Sequence, residues 1–256
     1  MVSAESQGRI VEFNPMEGET LQKGDVTVVV DTTQLILKKK QLQSGLVSLK
    51  SRINTLDAKV SASKVQLENL NREKNRIYQL FEGGAATSKQ KDDINGQTAL
   101  LEAQILATES QKSSVYAERN TLNVQIELVE DQIRKCAVRN PFKGTLLTKY
   151  REEGEITMPG QSLYKLANMD ELYLRAYVSG EQLSAIKTGQ SVKVQFDAPG
   201  GREEITGEVN WISPQAEFTP KIIQTKEERI NLVYAIKVLV ANDGRLKIGM
   251  PGEVYF

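Results

Sequence analysis

The chain has 256 residues, 39% of them hydrophobic, and 33 Lys+Arg balance 33 Asp+Glu, so it is long enough for one to three domains and carries no net charge. That balance argues against a dedicated nucleic-acid binder, which shows a basic excess or a basic face. With no histidine and a single cysteine, Cys136, the sequence excludes Ser-His-Asp and Cys-His catalysis, His-containing zinc sites, an internal disulfide and a four-cysteine metal site.

No run of 18 apolar residues occurs, so no segment reads as a membrane span. The opening Met1-Val2-Ser3-Ala4-Glu5 lacks the charged-then-apolar order of a signal peptide. Either the protein is cytosolic, or it is an exported protein whose targeting segment is absent from this sequence.

The first predicted element is a short strand, Arg9-Ile10-Val11, opened by Gly8. Glu17-Gly18-Glu19, Lys23-Gly24-Asp25 and the apolar run Val26 to Val30 follow it. Downstream the same order returns as Gly144 with Thr145-Leu146-Leu147, then Glu153-Gly154-Glu155, Pro159-Gly160-Gln161 and the run Leu163 to Leu166. In both copies ten residues separate the first glycine from the second, and six separate the second from the third. Glycine tolerates positive φ, so glycines repeated at strand ends predict repeated strand-turn units. The copies read as two halves of one small β-sandwich, separated by about a hundred residues.

Between the halves runs one heptad pattern. Its seam ascends from Leu42 through Leu46, Leu49, Leu56, Ser63, Leu70, Lys74 and Ile77 to Phe81. It descends from Ile94 through Leu101, Thr108, Lys112, Val115, Arg119, Leu122 and Val129 to Cys136. Steps of four and three alternate without a slip, as in a left-handed coiled coil. Cys136 therefore reads as a small core hydrophobe. Gly83-Gly84 supplies the break between helices, and Thr87-x-x-Gln90 has the form of a capping box opening the second. Asp31-Thr32-Thr33 offers caps for the first helix, and Asn140-Pro141 is expected to close the second. Folding the arms about the turn sets Ile77 by Ile94, Leu70 by Leu101, Ser63 by Thr108, Leu56 by Val115 and Leu49 by Leu122. Arms of roughly 48 residues give a rod of about 70 Å.

From Leu172 the pattern alternates with period two. Candidate strands near 172–178, 191–196, 205–212, 232–240 and 252–256 suit a small barrel of about six strands. Gln182 to Lys187 predicts one short helix, and Trp211 and Tyr234 read as core or strand aromatics.

On three signatures the chain resembles the HlyD-type membrane fusion proteins, the periplasmic adaptors of tripartite efflux pumps and type I secretion systems. These are Gly8 to Asp31, Pro141 to Leu166, and Tyr234 to Val254 with Asp243-Gly-Arg-Leu-Lys-Ile-Gly-Met-Pro-Gly. The last, with Thr219-Pro-Lys-Ile-Ile-Gln-Thr-Lys-Glu-Glu-Arg upstream, is most similar to the ABC-exporter-associated branch. The resemblance implies an α+β multidomain fold, a long antiparallel coiled-coil hairpin inserted in a split lipoyl-like β-sandwich and followed by a small β-barrel. The implied divisions are 1–31 and 138–168 for the lipoyl-like halves, 32–137 for the hairpin with its tip near 82–88, and 169–256 for the barrel.

The resemblance further implies a periplasmic adaptor without enzymatic activity or cofactor. It would link an inner-membrane transporter, ABC type favoured, to a TolC-type outer-membrane channel for export of drugs or other cargo. The implied assembly is a homo-oligomer, a hexamer by family analogy, anchored to the inner membrane through an N-terminal segment not seen in this sequence. Family adaptors carry an Arg, Leu and Ser pattern at the hairpin tip. Arg76 and Leu80 match at the four-residue step, whereas the third position falls at Thr87, beside Ser88. Read on chemistry alone, Thr87 caps its helix, Leu80 flanks the seam and Arg76 is a solvated charge. The resemblance adds a charged hydrogen-bonding role for Arg76, apolar packing for Leu80 and a polar contact for Thr87.

Two rival readings differ in class. A lipoate or biotin carrier needs its lysine between the two halves, where the coiled coil stands here, and Lys38-Lys39-Lys40 reads as a solvated basic face. A non-transport spacer or scaffold of the cell envelope accounts for the rod, but not for the split repeat and barrel.

Overall fold

The computed structural model describes residues 1–198, 200–218 and 232–256. The exporter-like stretch Thr219 to Arg229 lies outside the described residues. The chain opens with β1 (Val2–Ser3), β2 (Gly8–Phe13), β3 (Thr20–Leu21) and β4 (Val26–Val30). Two long helices follow, α1 (Thr33–Glu82) and α2 (Ser88–Lys135), and then β5 (Ala137–Arg139), β6 (Gly144–Lys149), β7 (Ile156–Thr157) and β8 (Ser162–Ala167). The strands before and after the helices make two four-stranded sheets, ordered β1-β8-β6-β3 and β5-β4-β2-β7.

The repeated glycine spacing is a structural repeat. Gly18, Gly24, Gly154 and Gly160 all take φ between +85° and +92°, the left-handed region open to glycine at little cost. The halves then exchange strands: β3 of the first pairs with β6 of the second, and β7 of the second pairs with β2 of the first. The flanking bonds match as well. Gly18 donates to the Leu146 carbonyl at 2.7 Å and Gly154 donates to Ile10 at 2.8 Å. Gly24 likewise donates to Asn140, and Gly160 to Ala4, each at 2.8 Å. In the turns, Asp25 accepts from the Gln22 amide and Gln161 from the Met158 amide, the same staple at equivalent positions.

The shared core packs Ile10, Phe13, Val28, Val138, Leu146, Leu163 and Leu166 around Tyr164, which is fully buried. Thr27 donates to the Tyr164 hydroxyl at 3.1 Å, and that hydroxyl donates to Asn140 Oδ1 at 3.3 Å. Burial raises the Tyr164 pKa, against the lowering effect of the Thr27 hydrogen bond. Asn140 does not close α2 as expected. The helix ends at Lys135 with Cys136 as its cap and passes directly into β5. Asn140 is buried instead, its side-chain amide donating to the carbonyls of Gln22 and Phe142 at 3.0 and 2.6 Å.

α1 and α2 fold back on one another as a rod of about 75 Å, from 50 and 48 residues at ~1.5 Å each. Leu49, Ile53, Leu56 and Val115 form a buried cluster along it, with Leu122 packed against it. Four ion pairs bridge the arms in the same register: Lys39–Glu130 at 2.8 Å, Arg52–Glu118 at 3.8 Å, Asp57–Lys112 at 2.5 Å and Lys64–Glu109 at 3.0 Å. The Lys39 ammonium, by hydrogen bond and charge, holds the Glu130 carboxyl below its usual range, and Asp57 raises Lys112. These groups are exposed or half-buried at the surface, so they fix alignment more than they add stability. Gly45 lets the arms approach, since a Cβ there would meet Leu122 Cδ2 at 2.8 Å.

Two expected seam positions differ: Arg119 and Phe81 are exposed, the first because its long charged side chain keeps its head in water, the second because it sits at the tip. At the base, Thr32 is the N-cap residue of α1 but makes no side-chain cap bond. Asp31, one residue earlier, accepts from the Thr33 amide and hydroxyl at 2.8 and 2.6 Å, which lowers its pKa.

The C-terminal part contains β9 (Glu171–Ser179), α3 (Gly180–Leu183), β10 (Ser191–Ala198), β11 (Gly201–Phe218), β12 (Leu232–Ala241) and β13 (Gly252–Tyr255). The five strands form one antiparallel sheet, β13-β10-β11-β12-β9. It curls until its edges approach, a Cβ on Gly252 of β13 lying 3.4 Å from the Leu174 side chain of β9. Val178, Val192, Val194, Val209, Ile236 and Val238 fill the concave side. The sheet is a half-barrel of five described strands, one fewer than expected. The short helix begins earlier than predicted because Ser179 and Gln182 form a capping box. Tyr234 packs on the core and Trp211 lies on β11, both as expected, with Trp211 partly exposed beneath the Lys237 ammonium. Within the described residues no helix is long and apolar enough to cross a membrane.

Removing the Tyr164 hydroxyl should leave the buried Asn140 Oδ1 without its donor, while Thr27 keeps the Val138 carbonyl as acceptor at 3.2 Å. Tyr164→Phe is expected to cost about 1–2 kcal/mol, read as a lower midpoint in thermal unfolding with unchanged helical signal. An unchanged midpoint would remove the Tyr164–Asn140–Thr27 link from the account.

Candidate functional site

The tip of the rod is built by two helix-terminal motifs in succession. At the end of α1, Gly84 has φ +74°, its amide donates to Phe81 at 3.0 Å, and the Ala85 amide donates to Leu80 at 2.7 Å. These are the paired bonds of a Schellman motif, with Gly84 as the left-handed residue. Gly83 caps the helix at φ −80°, a conformation open to any residue. Three residues past Gly84 comes Thr87, the N-cap of the second helix. Thr87 accepts from the Gln90 amide at 3.3 Å, and Gln90 Oε1 accepts from the Thr87 amide at 2.8 Å, completing the capping box.

The sequence-predicted tip residues fall on this turn and on the helix leading to it. Arg76 is exposed and ion-paired with Glu73 one turn earlier. Leu80 is 46% exposed and Phe81 37% exposed, a pair of large apolar side chains left in water. Thr87 has its hydroxyl engaged as the cap, and Ser88 opens α2 on the surface. Leu80, Thr87 and Ser88 flank the turn, while Arg76 stands one helical turn below Leu80.

Three residues that sequence reasoning passed over complete the tip. The Tyr78 hydroxyl donates across the rod to Asn95 Oδ1 at 3.0 Å. The Lys91 ammonium lies 4.8 Å from the Tyr78 ring centre and 4.9 Å from that of Phe81. The heptad pattern held the signal: one further three-residue step from Ile94 lands on Lys91, opposite Phe81. Tyr78 and Asn95 each follow a seam residue, Ile77 and Ile94, on the same flank. Among the described residues no cluster of three or more His, Cys, Asp or Glu side chains is arranged to hold a metal.

Over 99% of its length the chain superposes on the periplasmic adaptor protein EmrA with a TM-score of 0.59 at 18% identity, covering 92% of that structure. It superposes over the same share on MacA from Actinobacillus actinomycetemcomitans with a TM-score of 0.53 at 18% identity, covering 72% of that structure. This is the fold of the periplasmic adaptors, the membrane fusion proteins. In sequence, the chain is similar to a UPF0194 membrane protein of Yersinia enterocolitica, 29% identical over 278 residues that take in 97% of this chain and 83% of that protein. A UPF0194 membrane protein of Acidithiobacillus ferridurans is 30% identical over 148 residues, 56% of this chain and 44% of that one. The chain thus spans less than half the length of the second relative. No family model matches it.

The two glycines at the tip should respond differently to the same substitution. Gly84→Ala forces a Cβ into the left-handed region and is expected to cost about 1 kcal/mol, seen as faster hydrogen exchange at the Ala85 amide. Gly83→Ala should leave that exchange rate unchanged. Equal effects at both positions would contradict the Schellman assignment.

Proposed function

We propose that this chain is the soluble part of a periplasmic adaptor that joins an inner-membrane transporter to a TolC-type outer-membrane channel. The observation that carries the reading is the rod with an exposed, capped tip, standing on a split β-module and followed by a half-barrel. Similarity in fold to EmrA and MacA supports it. The β-module serves as the lipoyl-like domain, residues 1–31 and 138–168. The hairpin occupies 32–137, and residues 169–256 form the barrel domain. In this role the protein acts by architecture rather than catalysis.

Arg76, Leu80, Thr87 and Ser88 make the channel contact. Arg76 exchanges its exposed Glu73 partner for acceptors on the channel, a substitution of one solvated pair for another at little net cost. Leu80 loses water on docking, and the hydroxyls of Thr87 and Ser88 contribute polar contacts. The transporter is of ABC type, on the resemblance of the Asp243 to Gly252 segment. Full-length protein is held in the inner membrane by an N-terminal anchor, with this part in the periplasm.

Several copies, six by family analogy, stand their hairpins side by side as a tube for the cargo. The flanks of the rod support such packing. Val47, Val65, Leu100, Leu106, Val124 and Leu128 are exposed away from the seam, more apolar surface than an isolated coiled coil needs.

Photo-crosslinking in cells tests the reading, with the probe at Arg76 or Thr87 of the membrane-anchored protein. Capture of an outer-membrane channel from the tip, but not from Lys59 midway along the rod, is expected. Capture of sister copies alone at every position would favour the spacer reading and overturn this one.

A further inference from the structure

We infer that Lys91 positions the docking tip, its ammonium seated between the rings of Tyr78 and Phe81 to lock the last turn of α1 onto the first turn of α2. This rests on the tip-docking reading above and adds to it a residue that acts through others.

A coiled-coil seam must end somewhere, and an apolar pair in its last layer would stand open to water. Here that layer joins a cation to an aromatic ring. The distances of 4.8 and 4.9 Å to the two ring centres lie inside the range of cation–π attraction. Lys91 is half-buried and, among the described residues, pairs with no carboxylate, although Asp92 and Asp93 are its neighbours in sequence. Asp92 and Asp93, one and two positions on, stand off its face of the helix, and the ammonium lies across the seam.

Both of its aromatic partners belong to α1, and one is tied back to α2. Tyr78 reaches Asn95 through its hydroxyl, so ring, cation and amide form a closed circuit between the arms. Lys74 adds a second, longer approach to the Tyr78 ring at 5.9 Å. The Lys91 amide also donates to the Thr87 carbonyl at 3.3 Å, the first helical bond after the capping box. The same residue therefore meets the cap of α2 through its backbone and the final turn of α1 through its side chain. Leu80 lies between these restraints, next to Phe81 in the chain and accepting from Ala85 through its carbonyl. Fixing Phe81 fixes the direction in which Leu80 points. With the clamp released, the last turn of α1 frays, and docking must first restore its order.

The test uses the full-length anchored protein with a photo-crosslinker at Ser88, comparing Lys91→Gln, Lys91→Arg and Lys89→Gln. Lys91→Gln should lower channel capture about three- to tenfold without moving the thermal midpoint, Lys91→Arg should restore it, and Lys89→Gln should leave it unchanged. In the 256-residue chain labelled at lysine, the Lys91 ε-methylene resonance should be shifted upfield by the rings, and Lys91→Gln should speed exchange of the Ala85 amide. Undiminished capture in Lys91→Gln, while Arg76→Ala loses it, overturns the clamp and spares the docking reading. Loss of capture that Lys91→Arg does not restore also overturns it, because the ammonium would then be touching the channel itself. If no variant, nor the parent, captures a channel, the docking reading fails. The resonance and exchange measurements then decide the clamp alone, and an unshifted Lys91 signal overturns it.

Discussion

Strand exchange between the two halves of the β-module is the constraint on which the rest of the molecule depends. Neither half completes its own sheet: β6 takes β3 from the first half, and β2 takes β7 from the second. About a hundred residues of helix separate those partners in sequence, so the module forms only when both ends of the hairpin arrive together. Once it has formed, β4 and β5 lie side by side, and the Val30 amide donates to the Cys136 carbonyl at 2.8 Å. α1 therefore leaves the module and α2 returns to it at one fixed point. The buried Tyr164, Asn140 and Thr27 hold this junction from within, since Asn140 follows β5 and Thr27 lies on β4.

A rod anchored at one point transmits position only if its arms cannot slip. The seam supplies that through Leu49, Ile53, Leu56 and Val115, and a shift of one residue on either helix would turn those side chains out of it. Cross-arm charges mark the same alignment from Lys39–Glu130 near the base to Lys64–Glu109 farther out, and Tyr78–Asn95 continues it at the tip. Seam residues of α2 stay buried from Val129 near the base to Ile94 near the tip, and at the end of the rod the exposed Phe81 ring lies beneath Lys91.

Much of this was legible because it rests on local rules. The spacing of Gly18, Gly24, Gly154 and Gly160 was readable since each needs positive φ, and the heptads were readable since each layer must bury something. Thr87 and Gln90 were recognisable as a cap from side-chain chemistry alone. The exchanged strands were not, because β3 and β7 are two residues long and carry no alternation of their own. Asn140 is a related case. Before a proline it reads as a helix stop, and only the packed module shows its amide serving two carbonyls from inside the core. At the tip, the Schellman bonds and the capping box settle the turn, while the partner it meets is a matter of resemblance. Lys91 falls on the heptad step beyond Ile94, but a lysine there carries no apolar signal of its own to mark it as a seam residue.

If the rod works by holding the tip at a set distance from the module, its length should matter more than its sequence midway. Deleting residues 57–63 together with 108–114 removes one heptad from each arm in register and shortens the rod by about 10 Å. In the full-length anchored protein, this double deletion should keep its coiled-coil signal and thermal transition, yet lose channel capture from a probe at Thr87. Capture that persists undiminished from the shortened rod would contradict the account.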